Sequence, residues 1–115
     1  MAFFHPTLTP ERWNGFSSSK QILNIAAELA RSRHHCGGDA GARRFFLDSL
    51  DRAFELIDLT IADDKKWTGN RRWELLRLRE ILGEFYAGFN ISVEELTTLT
   101  RALLTLDKDT ASVEL

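Results

Sequence analysis

Cysteine occurs once, at Cys36, and proline only twice, at Pro6 and Pro10, in a chain of 115 residues. A single thiol forms no disulfide within the chain, so a disulfide-stapled fold is excluded, and so is a zinc cage built from several thiolates. The absence of proline after residue 10 leaves everything downstream without the strongest helix breaker. No apolar run approaches the length of about 20 residues that a membrane-spanning helix needs. The N-terminal "MAFFHPTLTPERW" has neither the cationic start nor the apolar stretch of a secretion signal, so a cytoplasmic protein is expected. Charge of one sign is also missing. With 15 Lys and Arg against 17 Asp and Glu, the net charge of -2 creates no field that would draw the whole molecule to nucleic acid or an anionic membrane. Any such contact has to be a local patch.

What remains is rich in Leu, Ala, Glu and Arg, the composition of helices. The length suits one domain, residues 1–115, and the expected fold is all-α: an antiparallel up-and-down bundle of three or four helices. An extended arm, residues 1–16, precedes the bundle, and residues 107–115 are expected to fray. The first helix is predicted to open in "SSSKQ", with Ser18 as cap and Gln21 reaching back as a capping box, and to run to about His35 before Gly37 and Gly38. Asp39 is the predicted cap of the second helix. Its Leu47, Leu50, Phe54, Ile57 and Ile61 alternate steps of three and four residues, the mark of one buried helical face. Asn70 is the predicted cap of the third helix, whose seam is Leu75, Leu78, Leu82, Phe85 and Phe89, ending at "GFN". Ser92 and Glu95 form a capping-box pair for a fourth, with Leu96, Leu99, Leu103 and Leu106 on one side.

The segment "GGDAGARRFFLDSLDRAFELID" resembles the second half of a tetratricopeptide unit, with its small alanine before an "ELxP"-like turn. Asp58 occupies the place of the proline, the preceding loop is longer, and no second copy follows at a period of about 34 residues. The resemblance therefore implies a helical hairpin and not a repeat array. A second comparison concerns the small helical HEPN ribonucleases, whose motif pairs an arginine and a histidine in a late helix. Arg31 and His35 are too close together for that motif, and no histidine follows His35.

Three patches are candidates for function. The first is surplus apolar surface: Phe45, Leu56 and Leu59 lie opposite the seam of the second helix, and Trp73, Leu76 and Ala87 lie off the seam of the third. Each of these helices therefore asks for two buried faces, which either the N-terminal Phe3, Phe4, Leu8, Trp13 and Phe16 or another protein chain must supply. Gly83 and Ala87, one turn apart, would allow close approach of a neighbouring helix. The expected role is a non-enzymatic interaction module that self-associates, as a dimer, through these faces, the alternative being an adaptor that binds another protein there. The second patch is "KKWTGNRRW", in which Lys65, Lys66, Trp67, Arg71, Arg72 and Trp73 offer cations and rings to an anion or a single-stranded nucleic acid. Arg71 and Arg72 fall in a first helical turn, where the macrodipole disfavours positive charge, so either an anion or Asp63 and Asp64 must compensate. The third is "RSRHHCGGD", Arg31 to Asp39, a possible metal- or thiol-dependent site. Adjacent His34 and His35 point about 100° apart on a helix and cannot share one ion, so a helix end that places Arg31, Arg33 and the histidines near terminal carbonyls accounts for the stretch better. No cofactor, metal or catalytic set is called for.

Overall fold

In the computed structural model, which describes residues 5–36, 38–88 and 92–115, five helices follow one another: α1 (Pro10–Asn14), α2 (Ser18–His34), α3 (Ala40–Ala62), α4 (Gly69–Tyr86) and α5 (Val93–Leu104). Small polar residues write most of the starts. Thr9 Oγ1 accepts the Arg12 N–H at 3.2 Å ahead of Pro10, whose missing N–H costs nothing at the first helical position. Asp39 Oδ1 accepts the Ala42 N–H at 2.9 Å, and Ser92 Oγ accepts the Glu95 N–H at 3.1 Å, both as the sequence indicates. Two starts differ. Ser17, not Ser18, caps α2 by accepting the Lys20 N–H at 3.1 Å, and α4 begins after Thr68, not Asn70, with no side-chain cap. At the end of α4, Gly88 takes a positive φ of 107°, which glycine adopts without strain, and its N–H closes the turn onto the Phe85 carbonyl at 3.2 Å. Gly37, Phe89 and Asn90, which the sequence places in turns and at the end of a seam, lie outside the described residues, as do Phe3 and Phe4.

The four long helices form an antiparallel ring in which each packs on its neighbours in sequence and α5 returns to α2. Cross-links between them run in opposite order along the two partners. Glu28 pairs with Arg52 and His35 stacks on Phe45 between α2 and α3; Asp58 pairs with Arg79 and Asp51 with Tyr86 between α3 and α4. Ridges of Ile22, Ile25 and Leu29 from α2, Leu50 and Ile57 from α3, Leu75 and Leu82 from α4, and Leu96 and Leu104 from α5 are buried in one core. At about 1.5–3 kcal/mol for each fully buried large aliphatic side chain, this seam dominates the stability of the fold. Among the described residues no helix is long and apolar enough to cross a membrane.

The arm expected to be extended and the tail expected to fray are both built into this body. The arm folds into α1 and lays Trp13, 1% exposed, against α3, where its indole N–H donates to Thr60 Oγ1 at 3.0 Å. Gln21 is drawn into the same contact rather than into a capping box: its amide donates to the Trp13 carbonyl at 2.7 Å and its Oε1 accepts the Trp67 indole N–H at 2.9 Å. An amide has one donating and one accepting end, so a single buried Gln21 satisfies groups from two distant segments. The tail is not frayed. Thr110 is buried and donates to the Leu104 carbonyl at 2.5 Å, Val113 packs on the core, and Arg33 reaches the Leu115 carbonyl oxygen at 2.6 Å.

Candidate interaction surface

The outer faces of α3 and α4 carry the apolar residues that the sequence marks as surplus, and the fold treats them differently. On α3, Leu56 is 3% exposed and lines a crevice of about 390 Å³ together with Leu8, Trp13 and Phe16 of the arm. Leu56 is therefore core and not surface, because α1 crosses α3 at that point. Leu59 is half-buried and packed on the core. Phe45 is 59% exposed but lies at the far end of α3, where its ring stacks on His35 with centroids 5.2 Å apart. On α4 no described residue covers the second stripe. Trp73 is 66% and Leu76 39% exposed, Ala87 is exposed, and Gly83 is half-buried, while Leu75, Leu78, Leu82 and Phe85 on the opposite side are buried. Helical geometry puts Trp73, Leu76, Glu80, Gly83 and Ala87 on one outward face, in steps of three and four residues.

Among the described residues nothing requires glycine at position 83. Its φ is not positive, and a Cβ added there would meet nothing within 4 Å, so alanine would fit and would strengthen the helix. Beside the stripe, Arg77 borders two depressions. One, about 340 Å³, lies against Trp73, Leu76 and Glu80; the other, about 200 Å³, is the seam between α4 and α5, floored by Leu78, Ile81, Leu99 and Leu106. A large exposed indole next to leucine and a shallow apolar groove is the composition found at the centre of protein contacts, where tryptophan and arginine are enriched.

The basic-aromatic segment is mostly used up within the fold. Trp67 is fully buried on Gln21. Lys66 Nζ donates to the carbonyls of Asn14 and Phe16, at 2.7 and 2.5 Å, where α1 ends. Arg72 donates to the Ile61 carbonyl at the end of α3, and Arg71 lies over the Trp67 ring at 4.3 Å with Asp107 at 3.9 Å. Lys66 and Arg72 thus complement the negative ends of neighbouring helices, where terminal carbonyls lack partners, while Arg71 is held by a ring and a carboxylate. Asp63, expected to neutralise the arginines, instead accepts the backbone N–H groups of Lys65 and Lys66 at 3.3 and 3.1 Å. Of the six residues only Lys65 and Trp73 remain exposed.

Arg31 to Asp39 is also dispersed. Arg31 binds Glu28, Arg33 reaches Thr97 and Leu115, His35 stacks on Phe45, and Asp39 caps α3. Burial pushes the Cys36 thiol above its ordinary pKa, and the charges of Glu94 and Glu95 add to the shift, so the thiolate needed by a nucleophile or a metal is disfavoured. Among the described residues, no three His, Cys, Asp or Glu side chains converge to hold a metal ion. The polar cluster that sequence reasoning missed is centred on Glu28, 5% exposed, whose Oε2 accepts the Arg52 Nε–H at 2.9 Å while Oε1 is held by Arg31. Both oxygens are engaged by guanidinium groups, so the carboxylate ties α2 to α3. The Arg31 half is legible as an i, i+3 pair; the Arg52 half depends on a tertiary contact. Compared with known protein families, with curated proteins and with solved structures, the chain matches none of them.

Proposed function

We infer that this protein is an interaction module that self-associates through the outward face of α4. The observation that carries the reading is Trp73, two-thirds exposed beside Leu76 on a helix face opposite a complete core seam. Exposing that much indole and leucine to water is unfavourable, at about 25 cal/mol for each Å² of apolar surface, and docking a second apolar face removes the cost. The N-terminal arm, the other cover the sequence offers, lies on α3 and leaves this face open among the described residues. Light-scattering mass across a dilution series tests the reading. A dimer at micromolar concentration that becomes monomeric in Trp73→Ser and in Leu76→Asp, with unchanged helical circular dichroism, supports it; a wild-type monomer at high micromolar concentration overturns it.

A further inference from the structure

Size and charge along α4 specify more than a sticky face. We propose that two copies dock antiparallel, α4 against α4, about a two-fold axis at Glu80; this rests on the self-association reading above. The outward stripe is bulky at its start and bare at its end: Trp73 and Leu76 precede Glu80, and Gly83 and Ala87 follow it. Trp73 and Ala87 stand equally far from Glu80, seven residues on either side. A two-fold axis there sets each indole on the partner's alanine and brings each leucine beside the partner's glycine. Parallel docking would set indole on indole and leave the glycines facing a gap. A helix-interior glycine with open space around it and ordinary φ weakens its own helix, and the antiparallel arrangement gives that weakness a use.

The two Glu80 carboxylates that meet at the axis repel one another, and the charges flanking the stripe offset this. Arg77 and Glu84 lie on the same flank of the stripe, about 20° apart around the helix at 100° per residue. They stand three residues before and four residues after Glu80. Across the two-fold axis, Arg77 of one copy comes level with Glu84 of the other, within about one residue's rise of 1.5 Å, and one turn from the partner's Glu80. Neither Arg77, Glu80 nor Glu84 takes part in an ion pair among the described residues, so all are available to an incoming chain. A stable contact buries about 800 Å² on each partner, more than one helix face offers. The groove between α4 and α5, which shares Arg77 with the stripe, provides the adjoining surface.

Cysteine cross-linking in a Cys36→Ser background tests the orientation separately from association. Glu80→Cys, at the axis, is expected to form a disulfide dimer on mild oxidation, and Ala87→Cys alone is not. Cross-linking of Ala87→Cys would overturn the antiparallel register while leaving self-association intact, and failure of both in a protein whose mass is dimeric would move the contact off this face. A monomeric wild type would remove the parent reading and the register together. A charge exchange supplies a second measurement. Arg77→Glu is expected to weaken the dimer by about tenfold or more, and adding Glu84→Arg to restore it to within about threefold. Those residues are two turns apart on their own helix, so rescue requires the other copy, and absence of rescue counts against the register.

Discussion

The outer faces of α3 and α4 carry the same signal in sequence, a second apolar stripe opposite the core seam, and meet opposite fates. Leu56 on α3 is buried beneath the arm, whereas Leu76 on α4 is exposed. Side-chain periodicity counts the faces of a helix that are apolar; it says nothing about which other segment lies over them. Here the described part of the arm crosses α3. The arm's polar contacts to the rest of the fold, including Trp13 to Thr60, Lys66 to the carbonyls of Asn14 and Phe16, and Gln21 to the Trp13 carbonyl, lead toward α3, the α3–α4 connection and α2, and none among the described residues leads to the outer face of α4.

Matched substitutions on the two faces would break this comparison if it is wrong. The largest effect is expected for Leu56→Asp, which buries an unpaired carboxylate and should cost about 3 kcal/mol or more, enough to shift a urea midpoint far down or abolish cooperative unfolding. A wild-type midpoint would mean that the arm does not cover α3. Glu28→Ala comes next, because it removes the buried carboxylate that links Arg52 of α3 and Arg31 of α2. A loss of about 2–3 kcal/mol is expected, discounted from the usual value for a broken buried pair because Arg31 remains largely in water. Lys66→Met should cost about 1–2 kcal/mol by stripping two carbonyls at the end of α1 of their donor, and it should destabilise the fold rather than change any affinity for nucleic acid. Gly83→Ala is expected to raise the stability of the monomer by about 0.5–1 kcal/mol while weakening the dimer, a split that thermal melts at low and high protein concentration would reveal. Smallest of all, Leu76→Asp should change monomer stability by less than about 0.5 kcal/mol, the value for a surface site. Cys36 adds a chemical check: with its pKa raised, it should react with iodoacetamide at pH 8 several-fold more slowly than the same residue in the unfolded chain.

The ring of helices is legible in the sequence because its determinants are local. Leu50 and Ile57, Leu75 and Leu82, Leu96 and Leu103 are spaced for one face each, and Asp39 and Ser92 announce the helices they cap. The misread starts are local competitions: Ser17, Ser18 and Ser19 are equivalent as caps, and the choice falls on Ser17 once Gln21 is taken by the tryptophans. Contacts made at long range are invisible to periodicity. Nothing near Trp67 marks it as core, and "KKWTGNRRW" reads as a binding segment because its cations precede a helix. Their partners, the terminal carbonyls of α1 and α3, appear only when the chain is folded. The tail reads as frayed because the threonine and arginine that hold it, Thr110 and Arg101, bond to backbone groups. The apolar and small residues of the α4 stripe, Trp73, Leu76, Gly83 and Ala87, are legible because a helix face is defined by spacing alone, whereas Glu80 at its centre and Arg77 and Glu84 beside it give no periodic signal.

The uneven placement of the three tryptophans gives the protein an optical probe of its own state. Trp13 and Trp67 share Gln21 in the interior, and Trp73 stands alone in solvent. Quenching by acrylamide in the folded monomer should therefore arise almost wholly from one indole. Dilution of the proposed dimer should restore that accessible fraction without disturbing the other two, so association can be followed by light at the residue proposed to make it.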